Sequence, residues 1–370
     1  MSQRPRAERR LVAVYLLLAS LTLAHAVYLT YGVYFAEVTG PHPGLTQQAY
    51  YALHNTTAIS ADHPLFHATD HAPNQYRVGV PWLAKAIARP LGIAKLYVVY
   101  TVFDFACALA AGWLCYLGLL RSAFFAALPE DRRPLAVVAL LAAFAWPLAW
   151  VVPWQRPETL PSALYLLATL AMLDRLRPRP GYPPRTLWIA AIAAATLCQS
   201  SVRTDIPTVL GAAVLLLPLL SGPASRQLFG SRKLCLATGA LIAGIAVSAQ
   251  LCLQKIVFPH ALYPPDTPVL ELAANLAPRR LIAFTIAMLP WAIVVALALR
   301  LRPRLEPLDW LPILAGSLYL PLWWTVGVVG EVRLFVPFLL AMVVVAAKIL
   351  VLLTEPPPSS AITLTDSPSS

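Results

Sequence analysis

Charged side chains are scarce in this chain: they make up 12% of its 370 residues, whereas hydrophobic ones make up 59% and mean hydropathy is +0.67. Apolar side chains far exceed what a soluble core of this size needs, which excludes a water-soluble globular domain and indicates a polytopic membrane protein. Acids are the rarer sign, with 17 Asp and Glu against 28 Lys and Arg. The formal charge of +11 raises nucleic acid as a partner, but the basic residues form short clusters between apolar runs instead of a continuous face. No nucleic acid is expected. Cysteine is sparse too: Cys107, Cys115, Cys198, Cys235 and Cys252 lie in or at the rims of apolar stretches, with no CxxC pair and no ligand spacing. They read as packing residues.

What the chain has in abundance is apolar runs. A helix needs about 20 apolar residues to cross a hydrocarbon core. On that measure ten spans are expected, near 11–35, 94–120, 135–152, 159–174, 187–202, 206–220, 234–258, 281–299, 309–326 and 334–353. The fold class is therefore all-α, a transmembrane helical bundle forming one integral domain over 1–353. Arginine clusters lie before span one (Arg4, Arg6, Arg9, Arg10) and after span two (Arg121, Arg132, Arg133). Others follow span four (Arg175, Arg177, Arg179, Arg185), span six (Arg226, Arg232, Lys233) and span eight (Arg300, Arg302, Arg304). Every second connection is basic, so the positive-inside rule places both termini in the cytoplasm. The Ala, Leu, Arg and Pro bias fits a bacterial plasma membrane. Residues 1–26 also resemble a signal peptide ending at Ala24-His25-Ala26. Continuation of the apolar run to about residue 35 favours an uncleaved helix.

The one long connection, 36–93, lies outside on this topology. "TQQAYYALHNTTAIS" and "QYRVGVPWLAKAIARPLG" alternate apolar and polar residues at helical spacing, the second interrupted by Pro81, and are expected to be two membrane-surface helices. The tail from 354, "TEPPPSSAITLTDSPSS", is Pro/Ser-rich and expected to be disordered. No internal repeat or soluble domain boundary is visible.

Against this background the outer ends of the helices are unusual. "SVRTDIPTV" puts Arg203 and Asp205 at the outer turn between spans five and six. "QRPET" puts Arg156 and Glu158 between spans three and four, and "GEVRLF" puts Glu331 and Arg333 between nine and ten. Arg279 and Arg280 precede span eight, Lys95 opens span two, and Arg77 opens the second surface helix. A helix N-terminus already carries partial positive charge, so an arginine there is disfavoured unless an anion shares the site. A phosphate would be such an anion, which makes Arg77, Arg156, Arg203 and Arg333 candidate phosphate ligands, with Glu158, Asp205 and Glu331 in support. The plainer account makes Glu158 and Asp205 ordinary helix-start acids, each paired with its neighbouring arginine.

The outer loop holds five of the seven histidines, and "DHPLFHATDH" spaces His63, His67 and His71 four apart beside Asp62 and Asp70. In a helix those imidazoles would share a face, so a divalent metal, zinc or manganese, is the candidate cofactor. The carboxylates are candidates for proton transfer. Asp104 is the one acid placed well inside a span, and an intramembrane acid is a functional candidate by default.

A first helix, a long outer loop with surface helices, then hairpins with polar outer ends resembles the C-type glycosyltransferases, membrane enzymes that use polyprenyl-phosphate-linked sugars. "QYRVGVPWLAKAIARPLG" is similar to a Tyr-Arg-x-x-x-Pro-x-Leu-Ala pattern following the first loop of such proteins, and "SSVRTDIPTVLG" and "GEVRLFVPFLL" look like their later outer-end motifs. The resemblance implies sugar transfer from a polyprenyl-phosphate lipid to an acceptor on the outer face, with an acid of the first loop as base or metal-positioning group. Where relatives often carry that acid this chain has Gln47 and Gln48, which moves the role to Asp70, Asp62 or Glu37 in that order. Two other classes stay open: a non-catalytic lipid-carrier transporter or flippase, and a metal-dependent outer-face enzyme using the histidines.

Overall fold

The computed structural model describes residues 4–39, 76–93, 96–151, 156–177, 185–220, 222–259, 270–327, 329 and 331–354, and all regular structure among them is helical. In chain order these are α1 (Arg4–Thr39), α2 (Gly79–Ala88), α3 (Leu96–Arg121), α4 (Ala123–Ala127) and α5 (Arg133–Ala149). Then come α6 (Thr159–Asp174), α7 (Arg185–Val202), α8 (Asp205–Leu220), α9 (Gly222–Phe229) and α10 (Arg232–Cys252), which continues as a π-turn over Leu253–Val257. The last are α11 (Leu272–Asn275), α12 (Pro278–Arg300), α13 (Trp310–Val326), α14 (Val336–Ala341) and α15 (Val343–Leu353).

Each of the ten apolar segments coincides with one of these helices, the last with the α14–α15 pair. Four stretches, Arg6–Tyr31, Val98–Arg121, Arg232–Val257 and Pro278–Arg300, are long and apolar enough to cross a membrane by themselves. At 23 to 26 residues each they reach about 35–39 Å, beyond the roughly 30 Å of a hydrocarbon core. α5, α6, α8 and α15 are apolar but shorter, so length and composition support four independent crossings, not ten.

The exposed surface of the long helices shows what surrounds them. α1 buries Val12, Leu16, Leu23, Val27 and Tyr31, a stripe at helical spacing packed along α3, and exposes Leu11, Val14, Leu17, Leu18, Leu21 and Leu29. α12 exposes Ile282, Ile286, Leu289, Ile293 and Leu299. Contiguous apolar faces of this extent are unstable in water and stable in hydrocarbon. The protein is membrane-embedded.

α8 and α10 form the most intimate pair. A Cβ on Gly239 would lie 2.8 Å from Leu215 N, and one on Gly211 would lie 2.6 Å from Ala243 N. Only glycine at both positions lets the two backbones approach this closely, the small-residue packing typical of helices in lipid.

α2 is the described part of the two expected surface helices. It buries Val80, Pro81, Ala84 and Ala88 against α3 and α7, while Trp82 and Leu83 face outward. Pro81 does not interrupt it: the helix begins at Gly79, so the proline sits in the first turn, where its missing N–H has no intrahelical role. All five cysteines are free; Cys107, Cys115 and Cys235 are buried as expected of packing residues, but Cys198 and Cys252 are exposed.

Candidate functional site

Four connections meet at one end of the bundle: the segment entering α2 (Arg77), the turn before α6 (Arg156 to Glu158), the α7–α8 turn (Arg203 to Asp205) and the turn before α14 (Glu331 to Leu334). Locally, Thr159 N donates to Arg156 O at 3.1 Å and Arg203 N to Gln199 O at 2.7 Å, which fixes the backbone of both turns. Arg156, Glu158, Arg203 and Arg333 are all at most 5% exposed.

One half of the cluster is built on Arg203. Its Nε donates to Asp205 Oδ1 at 3.2 Å and its Nη1 to Leu334 O at 3.4 Å, while Nη2 bonds both Asp205 Oδ2 and Tyr319 Oη. Asp205 Oδ2 also accepts from Tyr319 Oη at 2.8 Å and Trp323 Nε1 at 3.2 Å. Burial works against the Arg203 charge, but the adjoining Asp205 carboxylate outweighs it and raises the guanidinium pKa above its ordinary value. Every guanidinium nitrogen is bonded to protein, so Arg203 is a clamp joining the α7–α8 turn, α13 and the turn before α14. With four of its five N–H donors bonded to protein, Arg203 has one Nη1 hydrogen left for an anion and acts chiefly as a clamp.

The other half is built on Glu158. Arg77 Nη1 donates to Glu158 Oε1 at 2.6 Å. Burial alone would raise the Glu158 pKa; the charges of Arg77, Arg156 and Arg333 overcome it and hold the carboxyl below its usual range. Glu331, bonded to Arg333, is likewise held down against burial by Arg333, Arg156 and Arg77. Arg156 is pushed down to about 10, chiefly by burial and then by Arg333, with Glu158 and Glu331 acting the other way. It stays charged at neutral pH. Glu158 precedes the first turn of α6 yet makes no capping hydrogen bond with its side chain, so the plainer helix-start account does not describe it.

The structure thus brings together the four arginines singled out as candidate phosphate ligands and their three supporting acids: Arg77, Arg156, Arg203 and Arg333 with Glu158, Asp205 and Glu331. It does not add Arg280, which pairs with Glu271 at 2.7 Å and lies 3.4 Å from Asn275 Oδ1. Glu37 lies on α1, and its side chain is outside what is described. Asp62, Asp70, His63, His67, His71 and Lys95 are outside the described residues. Among the described residues no His, Cys, Asp and Glu group is placed to hold a metal. Asp104 is fully buried on α3, with Tyr31 Oη 3.5 Å from its Oδ2.

Sequence reasoning missed Tyr319 and Trp323, which sit inside an apolar run and gave no signal. It also missed a second buried charge cluster at the opposite end of the bundle. There Lys348 Nζ donates to both Asp309 oxygens at 2.9 Å and to Glu306 Oε1 at 3.1 Å; Arg177 lies 3.5 Å from Glu306 Oε2 and 2.7 Å from Asp174 Oδ1. The signal was present, since Lys348 interrupts an apolar segment and an intramembrane charge calls for a partner. A cavity of about 90 Å³ opens beside this network, walled by Leu114, Leu117, Leu167 and Val344, with Arg121 also lining it. It is remote from the arginine cluster, and its ionic end is paired internally. Neither family models, nor curated proteins, nor solved structures give a match to this chain.

Proposed function

We propose that this protein is a polytopic membrane enzyme of the C-type glycosyltransferase kind, moving a sugar from a polyprenyl-phosphate lipid to an acceptor at the outer face of a bacterial plasma membrane. In this reading the ten apolar segments all cross the bilayer, the shorter ones held by packing against the four long ones, with both termini in the cytoplasm. The observation that carries it is the convergence of Arg77, Arg156 and Arg333, far apart in sequence, on one buried cluster. Burying several guanidinium groups is costly, on the order of 2.5–3.5 kcal/mol each even on the lenient membrane scale. A cluster of them at the end of a bundle is suited to an anion that must leave water with its lipid.

Each part then has one task. Arg77, Arg156 and Arg333 hold the phosphate and stabilise the charge it gains as the bond to the sugar breaks. Arg203 positions the turn that carries Arg333, through its bond to the Leu334 carbonyl. The acceptor hydroxyl attacks the anomeric carbon; its proton passes to a loop carboxylate, Asp70 before Asp62 or Glu37, and the lipid phosphate departs as the anion. Glu158 is a poor candidate for the proton, because three guanidinium groups hold its pKa low and a useful base titrates near the working pH.

The test is the double variant Asp62→Asn/Asp70→Asn. Transfer of radiolabelled sugar from polyprenyl phosphate in proteoliposomes should fall to background, with membrane insertion and Tm unchanged. Full transfer in that variant rejects the carboxylate assignment. Lipid movement across the bilayer without transfer, in wild type and variant alike, would make the protein a carrier transporter.

A further inference from the structure

Several polar atoms buried without hydrogen bonds lie on adjoining helices near the arginine cluster. Among the described residues Tyr100 Oη, Glu158 Oε2, Ser162 Oγ and Gln199 Oε1 all lack a partner, and none of these side chains is more than 4% exposed. Ser20 Oγ on α1 is another exception, but many comparable hydroxyls elsewhere are satisfied. Thr169, Thr196, Ser200, Thr208 and Thr238 each donate to the carbonyl four residues back. Ser162 has the same option toward Glu158 and does not use it. Tyr15, Tyr116 and Tyr319 each donate to an acceptor, whereas Tyr100 does not.

The four atoms belong to neighbouring elements. Gln199 Nε2 donates to Ser162 O at 3.2 Å, and Ser162 is one helical turn beyond Glu158, on the same side of α6. α6 packs against both α3 and α7, and the Glu158 charge acts on Tyr100. Buried polar groups are almost always satisfied, so a concentration of exceptions marks where something else completes them. The set consists of a carboxylate oxygen, an amide oxygen and two hydroxyls, all able to accept, and what it complements is a group of hydroxyl donors.

We infer that Tyr100, Glu158, Ser162 and Gln199 form a subsite for the hydroxyl groups of a ring carried on a lipid phosphate. Resting on the phosphate reading above, it makes these residues the ones that tell a hydroxylated headgroup from a bare phosphate. Guanidinium donors take the anionic part, and the acceptors next to them on α3, α6 and α7 take the hydroxyls.

The experiment measures binding to the full-length protein in nanodiscs with two lipid pairs: polyprenyl phosphate with and without a hexose, and phosphatidylinositol against phosphatidic acid. Wild type should prefer the hydroxylated member of a pair. Ser162→Ala and Tyr100→Phe should each weaken that member by about three- to tenfold, as expected for one lost hydrogen bond, and leave the bare phosphate unchanged. Arg156→Gln should weaken both members. Discrimination confined to the inositol pair keeps the subsite and overturns the polyprenyl reading. If the Ser162 and Tyr100 variants bind both members as wild type does while Arg156→Gln loses both, the subsite fails and the phosphate reading survives. Wild type that binds no member of either pair sinks both.

Discussion

At the scale of single residues, Arg203 and Asp205 keep the helix-start and pairing roles that local sequence gives them, Asp205 being the first residue of α8, and tertiary structure adds further partners to both. Two residues apart before Ile206-Pro207, they look like a helix start. In the fold they are a largely buried ion pair that is also bonded to Tyr319, Trp323 and the Leu334 carbonyl. Removing one member of such a pair leaves an uncompensated charge and typically costs about 3–5 kcal/mol, whereas replacing both with apolar residues is often close to neutral. Asp205→Ala should therefore lower Tm sharply in detergent-solubilised protein, and Arg203→Met/Asp205→Leu should recover most of the loss. A double variant no more stable than Asp205→Ala would show that the pair does more than neutralise itself. No pattern in the sequence pointed to Tyr319, because an aromatic in an apolar helix is ordinarily packing, and only the approach of α13 to the α7–α8 turn gives its hydroxyl an ionic partner.

At the scale of elements, hydrophobic runs located the helices and misjudged how many cross unaided. Composition alone cannot decide whether an apolar helix of 16 or 17 residues, such as α6 or α5, spans by itself or leans on longer neighbours. The α8–α10 contact is likewise invisible in one dimension: Gly211 and Gly239 are two glycines among 16, and only the fold sets each against the opposing backbone. Gly239→Val would force those backbones apart, since its Cβ meets Leu215 N and Gly211 O. A cost of about 1–3 kcal/mol or more is expected for such overpacking, read as a fall in Tm and in the yield of folded protein. Gly244→Ala is the control, because a Cβ there meets nothing within 4 Å, and it should leave Tm unchanged or slightly higher through its helix propensity.

At the scale of the whole molecule, both ends of the bundle are held by buried charge. Glu158 and Glu331 at the arginine cluster, and Glu306 in the Lys348 network, all have pKa values below the ordinary one: burial raises each, but neighbouring cations, chiefly Arg77, Arg333 and Lys348 respectively, outweigh it. A carboxyl with a depressed folded-state pKa contributes stability that is complete above its unfolded value and disappears as pH falls through the folded one. Thermal stability should therefore be level near neutrality and fall progressively below about pH 4.5, the ordinary value for glutamate. Glu158→Gln/Glu331→Gln/Glu306→Gln should be less stable at neutral pH and flatter across that acidic range; a wild-type Tm independent of pH there would contradict the assignment. By itself the sequence determined that this is a helical membrane protein, where its apolar segments lie, and that charges gather at their ends, because the cost of putting charge in hydrocarbon is written residue by residue. Which of those charges meet, which are consumed by each other, and which buried oxygens are left without a hydrogen bond were decided only by tertiary structure, since a hydrogen bond depends on distances between helices that no local pattern encodes.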